Sequence, residues 1–238
     1  RLHMLHVATS VFMMASRHGC SHDYQMKPSK SRISLLSPAL NDICERELLN
    51  KPSPPILMRG GNVANKPEKN IGHRAVTYNP ERWSLLESFR EKAIRVMDAL
   101  ETFRLESTVH GSIARGDVNR RSDVDVFIPF QASSFSVETA LTKVSIPVNR
   151  RLVVQATPTY AMKAYVEIDE NMSISFPLMK MRTVEREFYR FGGEATLTTL
   201  KNNGRVRGVD KRLMLIEPTE KGHEESTIVG HEEQTARL

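Results

Sequence analysis

Two short groups of residues near the middle of the chain have the types and spacing to bind a metal ion and a phosphate. Gly111-Ser112 is followed, after ten residues, by Asp123-Val124-Asp125. Side chains alternate between the two faces of a β-strand, so Asp123 and Asp125 would point to the same face. Mg²⁺ takes one or two carboxylates and completes its coordination with water and phosphate oxygens. The two aspartates therefore predict a site for one or two Mg²⁺ ions at the start of a strand.

The Gly111-Ser112 pair has the composition of a phosphate-binding turn. Glycine lets a phosphate approach the backbone closely, and the serine hydroxyl and the following amides can donate to phosphate oxygens. The alternative interpretation is a surface strand end with two exposed aspartates and a glycine turn. Apolar β-forming residues flank both groups, and this context favours the binding site.

The segment that joins these groups resembles the signature of the nucleotidyltransferase superfamily, which has the polymerase-β-like fold. Within it, the segment resembles the minimal nucleotidyltransferases of archaea and bacteria. The signature is Gly-Ser, usually a small residue followed by Arg-Gly-acidic, a short linker, Ser-Asp-x-Asp and a hydrophobic strand. The residues that match it are Gly111, Ser112, Ala114, Arg115, Gly116, Asp117, Ser122, Asp123 and Asp125.

The resemblance implies an enzyme that moves a nucleoside monophosphate (NMP) from an NTP to a hydroxyl acceptor. Asp123 and Asp125 would be catalytic and would hold Mg²⁺, and Gly111 and Ser112 would bind the nucleotide. Arg115 would bind the nucleotide by steadying a phosphate, or it would pair with Asp117 instead. The residues do not identify the acceptor, which could be RNA, a protein or a small molecule.

Two other functions stay open at this point. One is an antitoxin-like minimal nucleotidyltransferase that modifies or masks a partner protein. The other is a non-catalytic nucleotide-binding module that has lost a third carboxylate.

The signature also includes a third carboxylate, for which this sequence offers more than one candidate. Members of the superfamily usually carry a third acid on a later strand, and residues 163–177 predict the hairpin that should provide it. Its second arm offers Ser173 and Ser175 instead. We assign the role to Glu167 on the first arm, with Asp169 as the second candidate and no third acid as the remaining alternative. A three-residue loop would put Glu167 on the face of the serines, whereas a two-residue loop would turn it away.

The neighbouring sequence predicts the elements that position these residues. Asn79-Pro80 is a good helix start, and the helix should end near Thr102. Its apolar stripe is Leu86, Phe89, Ala93, Val96, Met97 and Leu100, and the polar residues off that stripe are Glu87, Arg90, Glu91, Arg95 and Asp98.

A strand at residues 105–109, a helical turn from Ile113 and a second strand at 124–130 should follow. This order predicts an α+β fold, with a small mixed sheet flanked by helices.

Composition suggests three regions. The net charge of +6 comes from residues 1–78, because residues 79–238 hold equal numbers of basic and acidic side chains. Residues 1–78 should be a loosely structured basic leader, residues 79–180 the nucleotidyltransferase domain, and residues 181–238 an appendage. The chain ends in a helix-like pattern, which suggests a C-terminal truncation.

Basic and aromatic residues alternate at 180–212, with helix at 182–189 and strand at 205–216. They suit contact with a triphosphate or an RNA acceptor, or they form a solvated helix face with aromatic residues in the core.

The sequence also favours a cytoplasmic protein without a membrane span. No segment approaches the ~20 apolar residues that cross a bilayer. Cys20 and Cys44 provide no disulfide framework.

Overall fold

The structure is a computed structural model that describes residues 72–236. The expected leader, residues 1–78, lies outside the described residues except for 72–78, and so do Cys20 and Cys44. In chain order the elements are β1 (Arg74–Thr77), α1 (Pro80–Glu101), β2 (Thr108–His110), α2 (Ser112–Arg115), β3 (Val124–Phe127), α3 (Ser134–Lys143), β4 (Arg150–Val154), β5 (Lys163–Asp169), β6 (Met172–Pro177), α4 (Thr183–Phe191), β7 (Glu194–Thr196), α5 (Leu197–Lys201), β8 (Gly208–Val209), β9 (Met214–Thr219), β10 (Gly222–Thr227) and α6 (Glu232–Thr235).

Helix α1 confirms the expected helix at both ends. The side chain of Asn79 accepts a hydrogen bond from the Arg82 amide, Pro80 is the first helical residue, and Thr102 caps the C-terminus. All six residues of the apolar stripe are buried. Arg90, expected off that stripe, is also buried. Its guanidinium donates to the carbonyl oxygens of Ile113 and Ala114 at 3.1–3.2 Å, and these hydrogen bonds compensate for the loss of contact with water.

Six strands form the central sheet in the order β4-β5-β6-β3-β2-β7. The pair β3 and β6 is parallel, and the other neighbours are antiparallel. Alternate residues of these strands, such as Val124, Val126 and Ile174, are buried in one core with apolar residues of α1 and α3. The expected α+β fold with a mixed sheet flanked by helices is therefore confirmed.

The opposite face of the sheet carries the polar side chains. Asp125 and Ser173 are only partly buried there. Helix α4 packs on part of this face, where the ring of Tyr189 stacks on Phe127 with centroids 3.7 Å apart. This polar face of the sheet, which we call the site face, is thus open around Asp125 and covered by α4 farther along β3.

A second, four-stranded antiparallel sheet has the order β1-β10-β9-β8. Strand β1 lies within the expected leader but pairs with β10 from Arg74 to Thr77. A side chain at Gly222 would collide with the carbonyl oxygen of Val76, so β1 approaches β10 closely. The expected strand at 205–216 is two strands, β8 and β9, separated by a turn.

Residues beyond 180 contribute to both sheets. Strand β7 completes the central sheet beside β2, and β8 to β10 build the second sheet. Among the helices of residues 72–236, none is long and apolar enough to cross a membrane.

Candidate active site

The two aspartates of the sequence motif lie at the beginning of β3. Asp125 is the second residue of the strand, and Asp123 immediately precedes it. Asp123 is exposed and Asp125 is partly buried, whereas Val124 between them is buried in the core. This alternation places both carboxylates on the site face of the sheet, as expected.

Asp125 belongs to a row of polar residues that crosses the sheet. On β6, Ser173 is its partner in register, and the Ser173 hydroxyl donates to Oδ1 of Asp125 at 3.0 Å. Ser173 is in turn paired with Glu167 of β5, and Glu167 with Arg150 of β4. Because residues in register point to the same face, Asp125, Ser173, Glu167 and Arg150 share the site face.

Glu167 therefore lies on the face of Ser173, although the hairpin has a two-residue loop, with Asp169 paired to Met172, which was expected to turn Glu167 away. A β-bulge between Glu167 and Asp169 accompanies this register. The carboxylate of Glu167 is held by Arg150, whose guanidinium donates to both oxygens at 2.8 and 2.9 Å. Within residues 72–236, no three His, Cys, Asp or Glu side chains are grouped to hold a metal ion. The catalytic role of Glu167 stays a prediction.

The Gly111-Ser112 turn lies beside the aspartates at the end of β2. Gly111 has φ +74°, and no heavy atom of a non-neighbouring residue lies within 4 Å of the position that a Cβ would occupy. The Ser112 hydroxyl donates to the hydroxyl of Ser122 at 3.2 Å, and Ser122 in turn accepts from the Asn119 amide. Ser122 directly precedes Asp123, so a hydrogen bond joins the turn to the strand of the two aspartates.

Arg115 is buried and pairs with Asp117. Its Nε and Nη2 donate to the two carboxylate oxygens at 3.0 and 2.9 Å. Nη1 donates to the carbonyl oxygens of Gly192 and Val209. Of the two roles left open by the sequence, the pairing with Asp117 is present in the structure, and the contact with a phosphate stays a prediction.

His110 is a site residue that the sequence reasoning missed. In the sheet it lies opposite Glu194 of β7. Its ring packs edge to face on Tyr189, with the ring centroids 4.9 Å apart. The register of β2 with β3 places it opposite Asp125. Burial lowers the pKa of His110 below its usual value of 6.5. The nearby carboxylates of Asp125 and Glu194 act in the opposite direction but do not cancel this shift. Its position directly before Gly111 was the available signal.

Arg90 is a second residue that the sequence reasoning missed, since it holds α2 and the end of the Gly-Ser turn against α1. Burial, together with the charge of Arg205, lowers the pKa of Arg90 to about 10. An arginine among exposed helix positions gave no signal of this contact, because its partners are carbonyl oxygens of a distant turn.

The basic residues at 180–212 are mostly engaged within the protein. Arg186 pairs with Glu194, Arg190 with Glu187 and Arg212 with Asp210 and Glu225. Two guanidinium nitrogens of Arg205 donate to backbone carbonyl oxygens of β9 and β10. These contacts favour the interpretation of the basic segment as structural over contact with a triphosphate or RNA.

Comparison with known families agrees with the site. Residues 90–188 match the family model described as a nucleotidyltransferase domain. The match includes the Gly111-Ser112 turn, both aspartates and the β5-β6 hairpin. When the chain was compared with curated proteins, none matched it. Residues 90–188 therefore contain a nucleotidyltransferase domain, in agreement with the resemblance of the sequence motif.

Proposed function

We propose that this protein is a Mg²⁺-dependent enzyme that moves NMP from an NTP to a hydroxyl group of an acceptor. One observation carries the proposal. Within a nucleotidyltransferase domain, the Ser112–Ser122 hydrogen bond ties the Gly111-Ser112 turn to the strand that presents Asp123 and Asp125. A phosphate donor set and a metal donor set are therefore adjacent.

The residues at the start of β3 fit Mg²⁺ by their chemistry. Asp123 and Asp125 offer carboxylate oxygens on one face, and two carboxylates with substrate phosphates are a common way to hold this ion. Ser173 fixes one oxygen of Asp125 and so orients its carboxylate. When bound at these residues, the ion would supply positive charge that neutralises the negative charge developing on the phosphates during the transfer.

The Gly111-Ser112 turn would hold the β- and γ-phosphates. The first backbone hydrogen bonds of α2 are donated by Ala114 and Arg115 to Gly111. The two preceding amides, of Ser112 and Ile113, would donate to phosphate oxygens together with the Ser112 hydroxyl. The open space beside Gly111 leaves room for the phosphates to approach.

The transfer makes one bond and breaks one bond. The acceptor oxygen would attack the α-phosphorus, the bond from that phosphorus to the bridging oxygen would break, and pyrophosphate would leave. The acceptor hydroxyl would give its proton to Glu167 or to water. Positioning and electrostatic stabilisation can supply most of the rate of such a reaction.

The Glu167 side chain would need to move before it could accept the proton of the acceptor hydroxyl. It is one strand beyond Ser173 in the polar row, and Arg150 holds its carboxylate. Strands lie about 4.8 Å apart, and a small serine separates Glu167 from Asp125. Release from Arg150 would let the longer Glu167 side chain reach across Ser173 toward the nucleotide.

The same contacts favour a second candidate function, a nucleotide-binding module without catalysis. Ser173 is the neighbour of Asp125 where a third acid would be expected, and Glu167 is engaged by Arg150. The two functions predict equal NTP binding and differ in turnover.

Pyrophosphate release in the presence of Mg²⁺ and an NTP separates the two candidates. The enzyme should release pyrophosphate when a suitable acceptor is present, whereas the binding module should bind the NTP without any release. Labelled NTPs offered with tRNA, with total protein and with small hydroxyl compounds would identify the acceptor. A protein that co-purifies and becomes labelled would indicate the antitoxin-like alternative.

A further inference from the structure

The large apolar side chains that are exposed in residues 72–236 all lie toward one end of the central sheet. Phe135 is 78% exposed and Val153 is 65% exposed. The complete set, which we call the apolar corner, is Phe130, Phe135, Val153, Val154, Met162, Leu178 and Met179. Such a concentration is typical of a protein interface, because single exposed apolar residues are usually scattered.

Strand directions explain why these residues gather at one end. Strands β3, β6 and β4 run the same way and β5 runs opposite to them. Val154, Met162 and Leu178 are therefore at the end of the sheet where β3 finishes, far from Asp123. The Leu178 amide donates to the Met162 carbonyl at 2.9 Å, and the Gln131 side chain donates to the Leu178 carbonyl at 3.1 Å.

Helix α3 begins at the same end and is tied to β4. Nε of Arg151 donates to Glu138 at 2.9 Å. Phe135 precedes Glu138 by one helical turn, and Val153 follows Arg151 on the same face of β4. These two exposed residues therefore flank the ion pair.

Strand β4 also borders the sheet. In the described part of the chain it pairs with β5 along one side only. Natural proteins often protect such an edge with charged side chains. The charges of β4 are already neutralised, since Arg150 pairs with Glu167 and Arg151 with Glu138. The edge is thus apolar toward its Val153-Val154 end and carries no uncompensated charge.

We propose that a second copy of this chain docks on the apolar corner, with the two β4 strands pairing antiparallel about a two-fold axis near Leu152. In this arrangement Arg150 would lie opposite Val154 of the partner subunit, and Arg151 opposite Val153 of the partner subunit. No two arginines would face each other, and each valine would contact the aliphatic part of an arginine. An acidic or basic partner would find no free charge on β4, whereas an identical edge complements it.

Sedimentation velocity of the full chain over a range of concentrations tests this proposal without any nucleotide. The wild-type protein should form a dimer. Val153→Lys should raise the dimer dissociation constant by at least ~10-fold, because association would bury an unpaired ammonium group. Phe135→Ser, at the most exposed position, should also weaken the dimer.

The matched control is Ala75→Lys, which adds the same charge to an exposed position of β1, the edge strand of the other sheet. This variant should dimerise like the wild type. A wild-type protein that stays monomeric at every concentration would overturn the proposal. A dimer that persists unchanged in Val153→Lys would overturn it too, since the subunits would then associate elsewhere.

Discussion

Asp125 is a proposed metal ligand, and a serine orients its carboxylate. Ser173 donates to Oδ1 of Asp125, and in the proposed function Oδ2 would be the oxygen that binds Mg²⁺. Asp123 is exposed at the same end of β3. At the residue scale the candidate site therefore consists of Asp125 on β3, Asp123 immediately before that strand, and the hydroxyl of Ser173 on the neighbouring strand.

The first prediction concerns these two acids. Asp123→Asn and Asp125→Asn should each abolish Mg²⁺-dependent pyrophosphate release, because each change removes a negatively charged carboxylate that Mg²⁺ would use as a ligand. Circular dichroism should report an unchanged fold, since neither side chain is in the core. Asp98→Asn is the control, as Asp98 lies on α1 and pairs with an exposed Lys201. Wild-type release by both site variants would show that the metal site is assigned incorrectly.

The second prediction concerns Glu167. If Glu167 accepts the acceptor proton, Glu167→Gln should lower turnover by about 10²–10⁴-fold with little change in NTP affinity. Asp169→Asn, on the same strand beyond the bulge, should keep normal turnover. Rate assays and calorimetry on both variants measure these effects. Normal turnover in Glu167→Gln would remove Glu167 from the mechanism and leave two acids at the site.

At the scale of elements, the Gly-Ser turn depends on backbone shape more than on its hydroxyl. We predict that Gly111→Val weakens NTP binding more than Ser112→Ala, because valine is strained at φ +74° and fills the open space beside the turn. Loss of the Ser112 hydroxyl should cost about 0.5–1.5 kcal/mol, the scale of one hydrogen bond.

Gly230→Val provides a matched control for this series. Gly230 has φ +86°, and it too has no heavy atom of a non-neighbouring residue within 4 Å of the position that a Cβ would occupy. The control should therefore share the backbone strain while NTP affinity, measured by calorimetry, stays normal. Unchanged affinity in Gly111→Val would exclude the turn as the phosphate cradle.

The fourth prediction concerns a buried contact in the second sheet, between Tyr78, which directly follows β1, and His223 of β10. The Tyr78 hydroxyl and Nδ1 of His223 share a hydrogen bond of 2.6 Å next to Glu225. Burial lowers the pKa of His223 below its usual 6.5. Burial acts to raise the pKa of Glu225, but Arg212 and Arg74 lower it overall below its usual 4.5. Both groups in the folded protein therefore bind protons less readily than in the unfolded chain.

It follows that acid should destabilise the protein. The contribution of His223 is fully present above pH 6.5 and is lost as the pH falls through its folded-state pKa, and that of Glu225 is lost below pH 4.5. The free energy of unfolding from urea titrations should thus decrease as the pH falls from 6.5. His223→Asn should make this decrease shallower, with a remainder from His110, whose pKa burial also lowers. An identical pH dependence in both proteins would contradict the assignment.

Elements with strong local signals were predictable from sequence, and long-range pairings were not. Asn79-Pro80 and the apolar stripe predicted α1, and the motif predicted the turn and β3. The pairing of β1 with β10 joins residues far apart in the chain, and nothing local to Arg74–Thr77 indicates it.

The same limit applies within the site. Loop length did not decide which face Glu167 occupies. A two-residue loop alone would turn Glu167 away from Ser173, but a β-bulge between Glu167 and Asp169 pairs the two residues, and nothing in the sequence indicated that bulge. Asp117, two residues from Arg115, gave a local hint of their ion pair, but the carbonyl oxygens that bury Arg115 come from distant segments.

At the scale of the whole molecule, the nucleotidyltransferase match ends at residue 188, but the structure beyond it is needed for the sheet. Strand β7 completes the central sheet beside β2, next to the Gly-Ser turn. The carbonyl oxygens of Gly192 and Val209 anchor Arg115. Residues after 188 therefore support the site even though they lie outside the match.

The most direct test of nucleotidyl transfer follows the fate of the label from two forms of the same NTP. With Mg²⁺ and the acceptor identified by screening, an NTP labelled at the α-phosphorus should transfer label to the acceptor, and one labelled at the γ-phosphorus should release it as pyrophosphate. Asp125→Asn should do neither. Transfer of the γ-label to the acceptor would indicate phosphoryl transfer instead, and NTP binding with no transfer of either label to any acceptor would contradict the proposed enzyme.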